Sequence, residues 1–311
     1  MTPQHIDEAV RDLRSLRDFV RWGMSRFNEA GLYYGHGTDN AFDEAIYLVQ
    51  FALHLPLKVE EALLDTRLTA SEREAVAHLL VRRFTERKPA PYLTQEAWFC
   101  GMPFYVDERV LIPRSPIAEL IEKHFQPWIE PERVESILDL CTGSGCIAIA
   151  CAEAFPHSKV DGADISHDAL DVAAINVERF DMQEQVELVR SNLFSALEGR
   201  RYDIIVSNPP YVDAQDMASL PDEYRHEPEL ALAAGPEGLD LVLTILHEAA
   251  EHIMPGGILV VEVGNSQEAL EELLPEVPFV WLDFERGGHG IFLLTAEQIH
   301  EYHELFRLVR A

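Results

Sequence analysis

Residues 279–295 read FVWLDFERGGHGIFLLT, two short apolar runs separated by only the five residues 285–289. Both runs are rich in aliphatic and aromatic side chains, which is typical of buried β-strands. Parallel strands need a crossover connection of about a dozen residues or more, so a five-residue loop predicts an antiparallel pair. The last strand of the sheet that contains this segment should therefore run against its neighbours.

Five further strand patterns precede this segment, and helical patterns separate them from one another. The strands are predicted at SILDLC (136–141), KVDGAD (159–164), VELVR (186–190), YDIIVSN (202–208) and GILVVEV (257–263). Strands that alternate with helices predict a parallel, doubly wound α/β sheet. Together with residues 279–295 they predict a seven-stranded, mostly parallel sheet with an antiparallel last strand, which differs from an all-parallel dinucleotide-binding fold.

The N-terminal third has a different organisation. Helical periodicity covers residues 6–27, 39–55 and 69–87, and the cap signals are Asp39 or Asn40 for the second stretch and Thr69 or Ser71 for the third. RKPAPYL (87–93) predicts a linker, and EAWFCGMPFYVDERVLIPR (96–114) predicts a β-hairpin that turns near Gly101. The predicted domains are a small helical domain at 1–90, a linker and β-hairpin at 91–115, and the sheet domain at 116–311.

The charge of the chain is strongly negative and unevenly distributed. The formal net charge is −29; residues 1–100 hold 12 Lys and Arg against 15 Asp and Glu, whereas residues 101–311 hold 13 against 39. Such a surface repels phosphate backbones and anionic membranes and attracts basic partners, although acidity can also serve solubility alone. A charged N-terminus, no apolar run of about 20 residues and only four cysteines favour a cytoplasmic protein.

A glycine-rich turn follows the first predicted strand, in DLCTGSGCIAIA (139–150). Gly143 and Gly145 allow a ligand to approach the backbone there, and Asp164 ends the second strand at a position suited to ribose hydroxyls. The residues Gly143, Gly145 and Ala148 also match the dinucleotide fingerprint G-x-G-x-x-A. A nicotinamide enzyme, another nucleoside-binding protein and a glycine turn used only for packing all remain open on this motif.

A proline pair follows the fourth strand, in VSNPPYVD (206–213). Pro209 and Pro210 have no N–H groups, so the backbone there presents acceptors and no donors. Asn208 precedes a proline and is held extended, with its side-chain carbonyl available, while Tyr211 adds an aromatic wall. This arrangement suits a planar NH₂ group whose hydrogens are both accepted. It favours a methyltransferase acting on an amide or amine over a dehydrogenase.

These motifs resemble those of the HemK-type protein-(glutamine-N5) methyltransferases. DLCTGSG and NPPY carry the general likeness, and FCGMPFYVDERVLIPRSP with EYRHEPELAL is similar to the branch that methylates a glutamine of large-subunit ribosomal protein L-three. The resemblance implies a Rossmann-like class I methyltransferase fold, S-adenosyl-L-methionine as cofactor and S-adenosyl-L-homocysteine as product. It implies ribosomal protein L-three as partner, free or in an assembling large subunit, and no membrane or direct nucleic-acid substrate.

The resemblance also implies roles for individual residues. Cys141 stands where the family usually has a glycine, and Asn192 stands where it usually has an aspartate. The implied substrate-amide residues are Asn208, Pro209, Pro210 and Tyr211. The implied cofactor-binding residues are Cys141, Thr142, Gly143, Ser144 and Gly145 for the loop under the methionine part, Asp164 for the ribose, Asn192 and Leu193 beside the adenine, and also Asp139, Ile165 and Asn208.

Several alternatives stay open at this point. The same chemistry on a peptide-chain release factor is the nearest, followed by a nucleic-acid amino-methyltransferase and a non-catalytic cofactor-binding module. Glu227 is either a surface-turn residue or one that shapes the substrate side, and Arg114 either orders the hairpin against the active site or forms a structural ion pair. Neither the cysteines nor the histidines have metal-ligand spacing, so no metal is expected. The helical N-terminal domain is predicted to dock the substrate.

Overall fold

The computed structural model describes residues 2–235 and 238–310, which form two compact units. The helical unit comprises the chain up to Ala97 together with Pro221–His226. The sheet unit comprises Trp98–Leu220 and the chain from Glu227 onward. The chain therefore passes from one unit to the other three times. Within the described residues, no helix has the length and apolar character needed to span a membrane.

The helical unit has a core of its own, formed by side chains such as Phe19, Leu48 and Leu80, which are fully buried. Its helices are α1 (Thr2–Asp12), α2 (Leu16–Glu29), α3 (Ala41–Ala52), α4 (Ala70–Glu86) and α5 (Ala90–Thr94), with 3₁₀ turns at Glu61–Asp65 and Asp222–His226. The amphipathic periodicity of the sequence thus corresponds to helices that bury one face.

The first predicted helical stretch, residues 6–27, contains two helices and not one. Ser15 accepts a hydrogen bond from the Asp18 backbone N–H, and the Asp18 carboxylate accepts one from the Ser15 N–H. This reciprocal capping box starts a new helix at Leu16, because it satisfies N–H groups that a continuous helix would bond internally. The hydrophobic periodicity continues across the break and conceals it.

The other cap signals are resolved by the structure. Asn40 caps α3, and Thr69 caps α4 in a capping box with Glu72. Part of the segment predicted as a linker, residues 87–93, forms the short helix α5, which Pro89 precedes. Proline is compatible with a helix start because the first helical N–H groups have no intrahelical partner.

The predicted β-hairpin is present, with shorter strands than its sequence pattern. Strands β1 (Glu96–Phe99) and β2 (Met102–Tyr105) form a two-stranded sheet joined by Cys100 and Gly101. Both connecting residues have positive φ, 47° and 73°, as a type I′ hairpin turn requires. The chain beyond Tyr105 leaves the ladder and forms a loop.

The sheet unit contains the predicted seven-stranded sheet, with strand order β5-β4-β3-β6-β7-β9-β8 among the described residues. Only β9 runs antiparallel to its neighbours, which confirms the expectation drawn from residues 279–295. The strands are β3 (Ser136–Leu140), β4 (Lys159–Asp164), β5 (Val186–Arg190), β6 (Tyr202–Ser207), β7 (Ile253–Glu262), β8 (Val280–Trp281) and β9 (Ile291–Thr295). The helices are α6 (Ile117–Glu122), α7 (Cys146–Ala154), α8 (His167–Arg179), α9 (Ala214–Ser219), α10 (Asp240–His252), α11 (Gln267–Leu273), α12 (Ala296–Glu301) and α13 (His303–Arg310), with 3₁₀ turns at Pro131–Arg133, Glu229–Ala231 and Gly264–Ser266.

Alternate residues of the central strands pack on opposite faces of this sheet. On β6, Ile204 and Val206 join the core that contains α7, whereas Ile205 joins the core that contains α10. Alternation of side chains along a strand places one residue on each face in turn, so both faces are buried and the strand reads as a continuous apolar run.

The register of the parallel strands brings their carboxyl ends to one edge. Leu140 of β3 lies opposite Ala163 of β4 and Ser207 of β6, and Ser207 lies opposite Val261 of β7. The residues that follow these positions therefore emerge together. In open α/β sheets this edge is where ligands bind.

Candidate active site

The loop after β3 is held in left-handed conformations. Cys141, Gly143 and Gly145 have φ values of 60°, 56° and 78°. Glycine adopts this region without steric cost, which accounts for a glycine being usual where Cys141 stands. A Cβ on Gly145 would lie 3.2 Å from the Cβ of Ala173, so the third position also needs a small residue for helix packing. A Cβ on Gly143 would meet no atom closer than 4.0 Å.

Asp164, at the end of β4, organises this loop. Its Oδ2 accepts a hydrogen bond from the Gly143 backbone N–H at 2.9 Å, and its Oδ1 accepts one from the Ser166 N–H at 2.9 Å. Burial raises the pKa of Asp164, and these backbone hydrogen bonds oppose that shift because they stabilise the ionised carboxylate. Asp164 thus lies against the glycine loop with acceptor capacity left for a ligand.

Asp139 lies within β3, below the loop and fully buried. Its Oδ2 accepts hydrogen bonds from Thr142 Oγ1 at 2.5 Å and from the Ala148 N–H at 3.0 Å. Its Oδ1 is buried and accepts no hydrogen bond from a described residue. Burial raises the pKa of Asp139 to about 7. A buried carboxylate oxygen without a hydrogen bond is energetically costly, which agrees with the raised pKa of Asp139.

The turn after β5 is shaped by Ser191, a residue that sequence reasoning missed. Its Oγ donates to the Leu193 carbonyl at 2.5 Å and accepts from the Ala196 N–H at 3.0 Å. These bonds hold Leu193 at a φ of 47°. They leave Asn192 exposed, with no hydrogen bond from its side chain to any residue in the described ranges. The sequence feature that could have indicated Ser191 is its position directly before Asn192 and Leu193, where a serine hydroxyl can hydrogen-bond to the backbone and close a turn.

The proline loop begins directly after β6. Asn208 is half-buried, and its side-chain amide makes no hydrogen bond to a residue that the structure describes. Pro209 is buried behind it and Pro210 is half-buried. The Tyr211 hydroxyl donates to Glu262 Oε1 at 2.8 Å. The only side-chain hydrogen-bonding group among the first three residues of the loop is thus the Asn208 amide.

A cavity of about 170 Å³ opens at this edge of the sheet. Eight of the predicted site residues line it, whereas the predicted residues Asp139, Thr142, Ser144, Gly145, Pro209 and Tyr211 do not. The predicted residues that line it are Cys141, Gly143, Asp164, Ile165, Asn192, Leu193, Asn208 and Pro210. The lining residues that sequence reasoning did not assign are Arg109, Val110, Leu111, Ala163, Ser166, Ala169, Ser191, Pro228, Leu230, Ala231 and Leu241.

One wall of the cavity belongs to a segment that we call the strap, residues 106–115. At its start, Asn176 of α8 accepts a hydrogen bond from the Tyr105 N–H and donates to the Tyr105 and Ser144 carbonyls. The Arg109 side chain pairs with Asp107 at 2.7 Å. Asn176 is fully buried and joins the end of β2, directly before the strap, to the glycine loop. Its position in the sequence gives no sign of this role.

A second segment, residues 227–234, forms another part of the wall. Glu227 is fully buried, and its carboxylate accepts from both terminal nitrogens of Arg114 at 2.6 and 2.9 Å and from the Ile112 N–H at 3.1 Å. The reading of Glu227 as a surface-turn residue is therefore wrong. Backbone hydrogen bonds from the Val212 N–H to the Leu232 carbonyl and from the Ala234 N–H to the Val212 carbonyl join the same segment to the residue directly after the proline loop, which comprises residues 208–211.

The comparisons with known proteins agree with this architecture. Residues 119–222 match the family model described as methyltransferase small domain. The catalytic domain of hMettl16, in complex with MAT2A 3′UTR hairpin 1, has a TM-score of 0.50 and 17% identity to this chain, covering 81% of this chain and 89% of that one. Such a likeness shows the fold alone. The family match and this likeness together give the chain a methyltransferase fold, with a cavity at the carboxyl edge of its sheet.

Two curated relatives narrow the class. The chain is 50% identical to a ribosomal protein uL3 glutamine methyltransferase of Neisseria gonorrhoeae, over 94% of this chain and 98% of that protein. It is 51% identical to the enzyme of the same name from Neisseria meningitidis serogroup B, over 94% and 97%. The chain belongs to the family of ribosomal protein uL3 glutamine methyltransferases.

Proposed function

We propose that this protein transfers a methyl group from S-adenosylmethionine to the side-chain amide nitrogen of a glutamine in ribosomal protein uL3. This is the protein called L-three in the sequence analysis. The observation that carries the proposal is Asn208, whose amide lies at the cavity with no hydrogen bond to a described residue, beside the glycine loop and Asp164. Family membership supports the identity of the substrate.

The residues of the cavity fit the cofactor. Gly143 leaves its backbone open to close approach, and Asp164 retains lone pairs for hydroxyl donors. When bound, S-adenosylmethionine supplies an electrophilic methyl group and leaves as S-adenosylhomocysteine. In this assignment Asn192 and Leu193 flank the adenine.

The chain contributes orientation and electrostatics to the reaction. An amide nitrogen is a weak nucleophile because its lone pair is delocalised into the carbonyl group. The Asn208 side-chain oxygen and the Pro209 carbonyl accept the two hydrogens of the substrate NH₂, which raises electron density on nitrogen and fixes its approach. After transfer the nitrogen is acidic and loses a proton to water.

The proposal is tested with labelled S-adenosylmethionine and three acceptors in parallel: purified uL3, a peptide-chain release factor and ribosomal RNA. We expect label on uL3 alone, and mass spectrometry should place a single methyl group on one glutamine. Label on the release factor only would retain the chemistry and overturn the substrate. Label on RNA only would overturn the substrate class.

Replacing Asp164 by alanine should weaken cofactor binding about ten- to a hundredfold, because a hydrogen bond to a charged group contributes about 1.5–3 kcal/mol. Isothermal titration of S-adenosylmethionine measures the change. Asp168→Ala is the matched control, since Asp168 is an exposed carboxylate four residues away and does not line the cavity. A dissociation constant for Asp164→Ala equal to that of the control would contradict the assignment.

A further inference from the structure

Glu262, the last residue of β7, connects two walls of the cavity. Its side chain is buried, and its two carboxylate oxygens contact different partners. Oε1 accepts from the Tyr211 hydroxyl at 2.8 Å, and Oε2 accepts from the Ser115 hydroxyl at 2.5 Å. Tyr211 ends the proline loop and Ser115 ends the strap. One carboxylate thus spans segments that are far apart in sequence.

A carboxylate is suited to this task because each of its oxygens accepts independently. Burial raises the pKa of Glu262, while the hydroxyls of Ser115 and Tyr211 lower it by donating to the ionised form. An amide of the same shape has one oxygen and one NH₂ group. Glutamine at this position therefore reverses the direction of one hydrogen bond and removes the charge that strengthens both.

The backbone after β7 fixes the Tyr211 ring independently of its hydroxyl. Gly264 has a φ of 49°, and a Cβ there would lie 2.5 Å from Cε2 of Tyr211. The ring therefore lies directly against the glycine backbone. In addition, the Ser266 hydroxyl donates to the Tyr211 carbonyl at 3.2 Å. The end of β7 thus sets where Tyr211 can lie.

The position of Tyr211 is transmitted to Asn208 through two prolines. Each proline has its φ fixed near −65°, so the chain between these residues has few soft dihedrals. A displacement of Tyr211 therefore has fewer backbone rotations that can absorb it before it reaches Asn208. The end of the strap is also fixed by the backbone, because Ser115 Oγ accepts a hydrogen bond from the Ile117 N–H at 3.2 Å.

We propose that Glu262 is a positioning residue for methyl transfer: it fixes the loop at residues 208–211 relative to the strap, so that the acceptors for the substrate amide face the cofactor cavity. This inference rests on the proposed function. Glu262 does not line the cavity and touches neither ligand in this scheme. Its effect is expected on the chemical step, because the glycine loop and Asp164, which bind the cofactor, do not contact it.

The test compares wild type, Glu262→Gln, Tyr211→Phe and the double variant in methylation of uL3. Glu262→Gln should lower kcat about ten- to a hundredfold, as displacements of about 1 Å near reacting groups do, while KM for S-adenosylmethionine changes less than about threefold. Tyr211→Phe should lower kcat similarly. The double variant should be no slower than the slower single variant, since both remove the same connection.

Glu119→Gln is the matched control. Glu119 is also buried and accepts two backbone hydrogen bonds, from Glu285 and Arg286, but it does not line the cavity. Its kcat should stay within about twofold of wild type, because Glu119 does not line the cavity and its hydrogen bonds do not involve the proline loop. The proposal is overturned if kcat of Glu262→Gln equals wild type, if the single effects multiply, or if Glu119→Gln loses as much.

Failure of this proposal is distinguishable from failure of the proposed function. Absence of uL3 methylation by the wild-type enzyme would reject the function, whereas wild-type methylation with an unaffected Glu262→Gln variant would reject only the positioning role. If Glu262→Gln does not fold, Ser115→Ala and Tyr211→Phe each remove one donor and leave the carboxylate in place. Wild-type kcat in both of these variants would then overturn the proposal.

Discussion

Replacing Asn208 by alanine is expected to lower kcat for methyl transfer about 10²–10³-fold, the cost of removing one preorganised polar group from a reacting centre. The physical reason is that the amide of Asn208 is the only side-chain group of the first three proline-loop residues that can accept a hydrogen from the substrate NH₂. Turnover is measured with saturating uL3 and S-adenosylmethionine.

A measurement of cofactor binding distinguishes a slower methyl-transfer step in Asn208→Ala from a general disruption of the cavity. The dissociation constant of S-adenosylmethionine for Asn208→Ala should stay within about threefold of wild type, because an interaction used mainly in the transition state contributes little to ground-state binding. Asn208→Asp should retain more activity than Asn208→Ala, since a carboxylate also accepts from an NH₂ group. Activity of Asn208→Ala within tenfold of wild type would mean that another group holds the amide.

The second large effect concerns the stability of the helical unit. Arg83 of α4 is 1% exposed; its Nε donates to Glu44 Oε1 at 2.6 Å and its Nη2 donates to the Tyr33 carbonyl at 3.1 Å. Its Nη1 lies 3.7 Å from Glu223, which is fully buried. Arg83→Met leaves two buried carboxylates without this cation, and breaking a buried pair in this way costs about 3–5 kcal/mol.

The loss of stability in Arg83→Met is measured as faster hydrogen–deuterium exchange of peptides from α3 and α4, because the exchange rate reports the free energy of local opening. Arg82→Met is the matched control on the same helix: Arg82 is 46% exposed and pairs with Glu86 one turn away. An exposed pair of this kind contributes little, so the control should change stability by less than about 0.5 kcal/mol. Equal effects from the two variants would show that the buried cluster is not a major source of stability.

The sheet was predictable because its signals are local. Strands β4 and β5 begin and end where the sequence patterns KVDGAD and VELVR do, and the five-residue connection before β9 requires an antiparallel pair. Strand β8 is much shorter than its pattern, at Val280–Trp281. It lies at one edge of the sheet and, among the described residues, pairs with β9 alone, through Val280 and Trp281.

The candidate site was predictable only where a motif follows a strand end. Gly143, Asp164 and Asn208 satisfy that condition, since parallel strands deliver their carboxyl ends to one edge. Val110 and Leu111 were expected in the β-hairpin, yet they lie in a loop that lines the cavity. Their apolar character fits a strand and a cavity wall equally well, and only tertiary structure separates the two.

Buried polar connections were the least predictable part of the site. Glu262 lies in the predicted strand GILVVEV (257–263), and Ser115 lies in FCGMPFYVDERVLIPRSP, but a sequence does not state which donors meet which acceptors. The sequence leaves two roles open for Arg114 and two for Glu227, whereas in the structure their side chains form one bidentate ion pair. Such pairings depend on the whole fold, because their partners are more than 100 residues apart in the chain.

The three passages of the chain between its two units have a consequence for gene architecture. Pro221–His226 packs with the N-terminal helices through Glu223, which also binds Arg87 at 2.9 Å, while the next residue, Glu227, belongs to the sheet unit. A contiguous stretch of gene that encodes the complete helical unit must therefore also encode the part of the sheet unit that lies between residues 97 and 221. Deleting residues 1–90 would remove Arg83 and Arg87, the cations beside the buried Glu223. The proposed role of these helices in docking the substrate is therefore better tested by substituting surface residues in the intact chain.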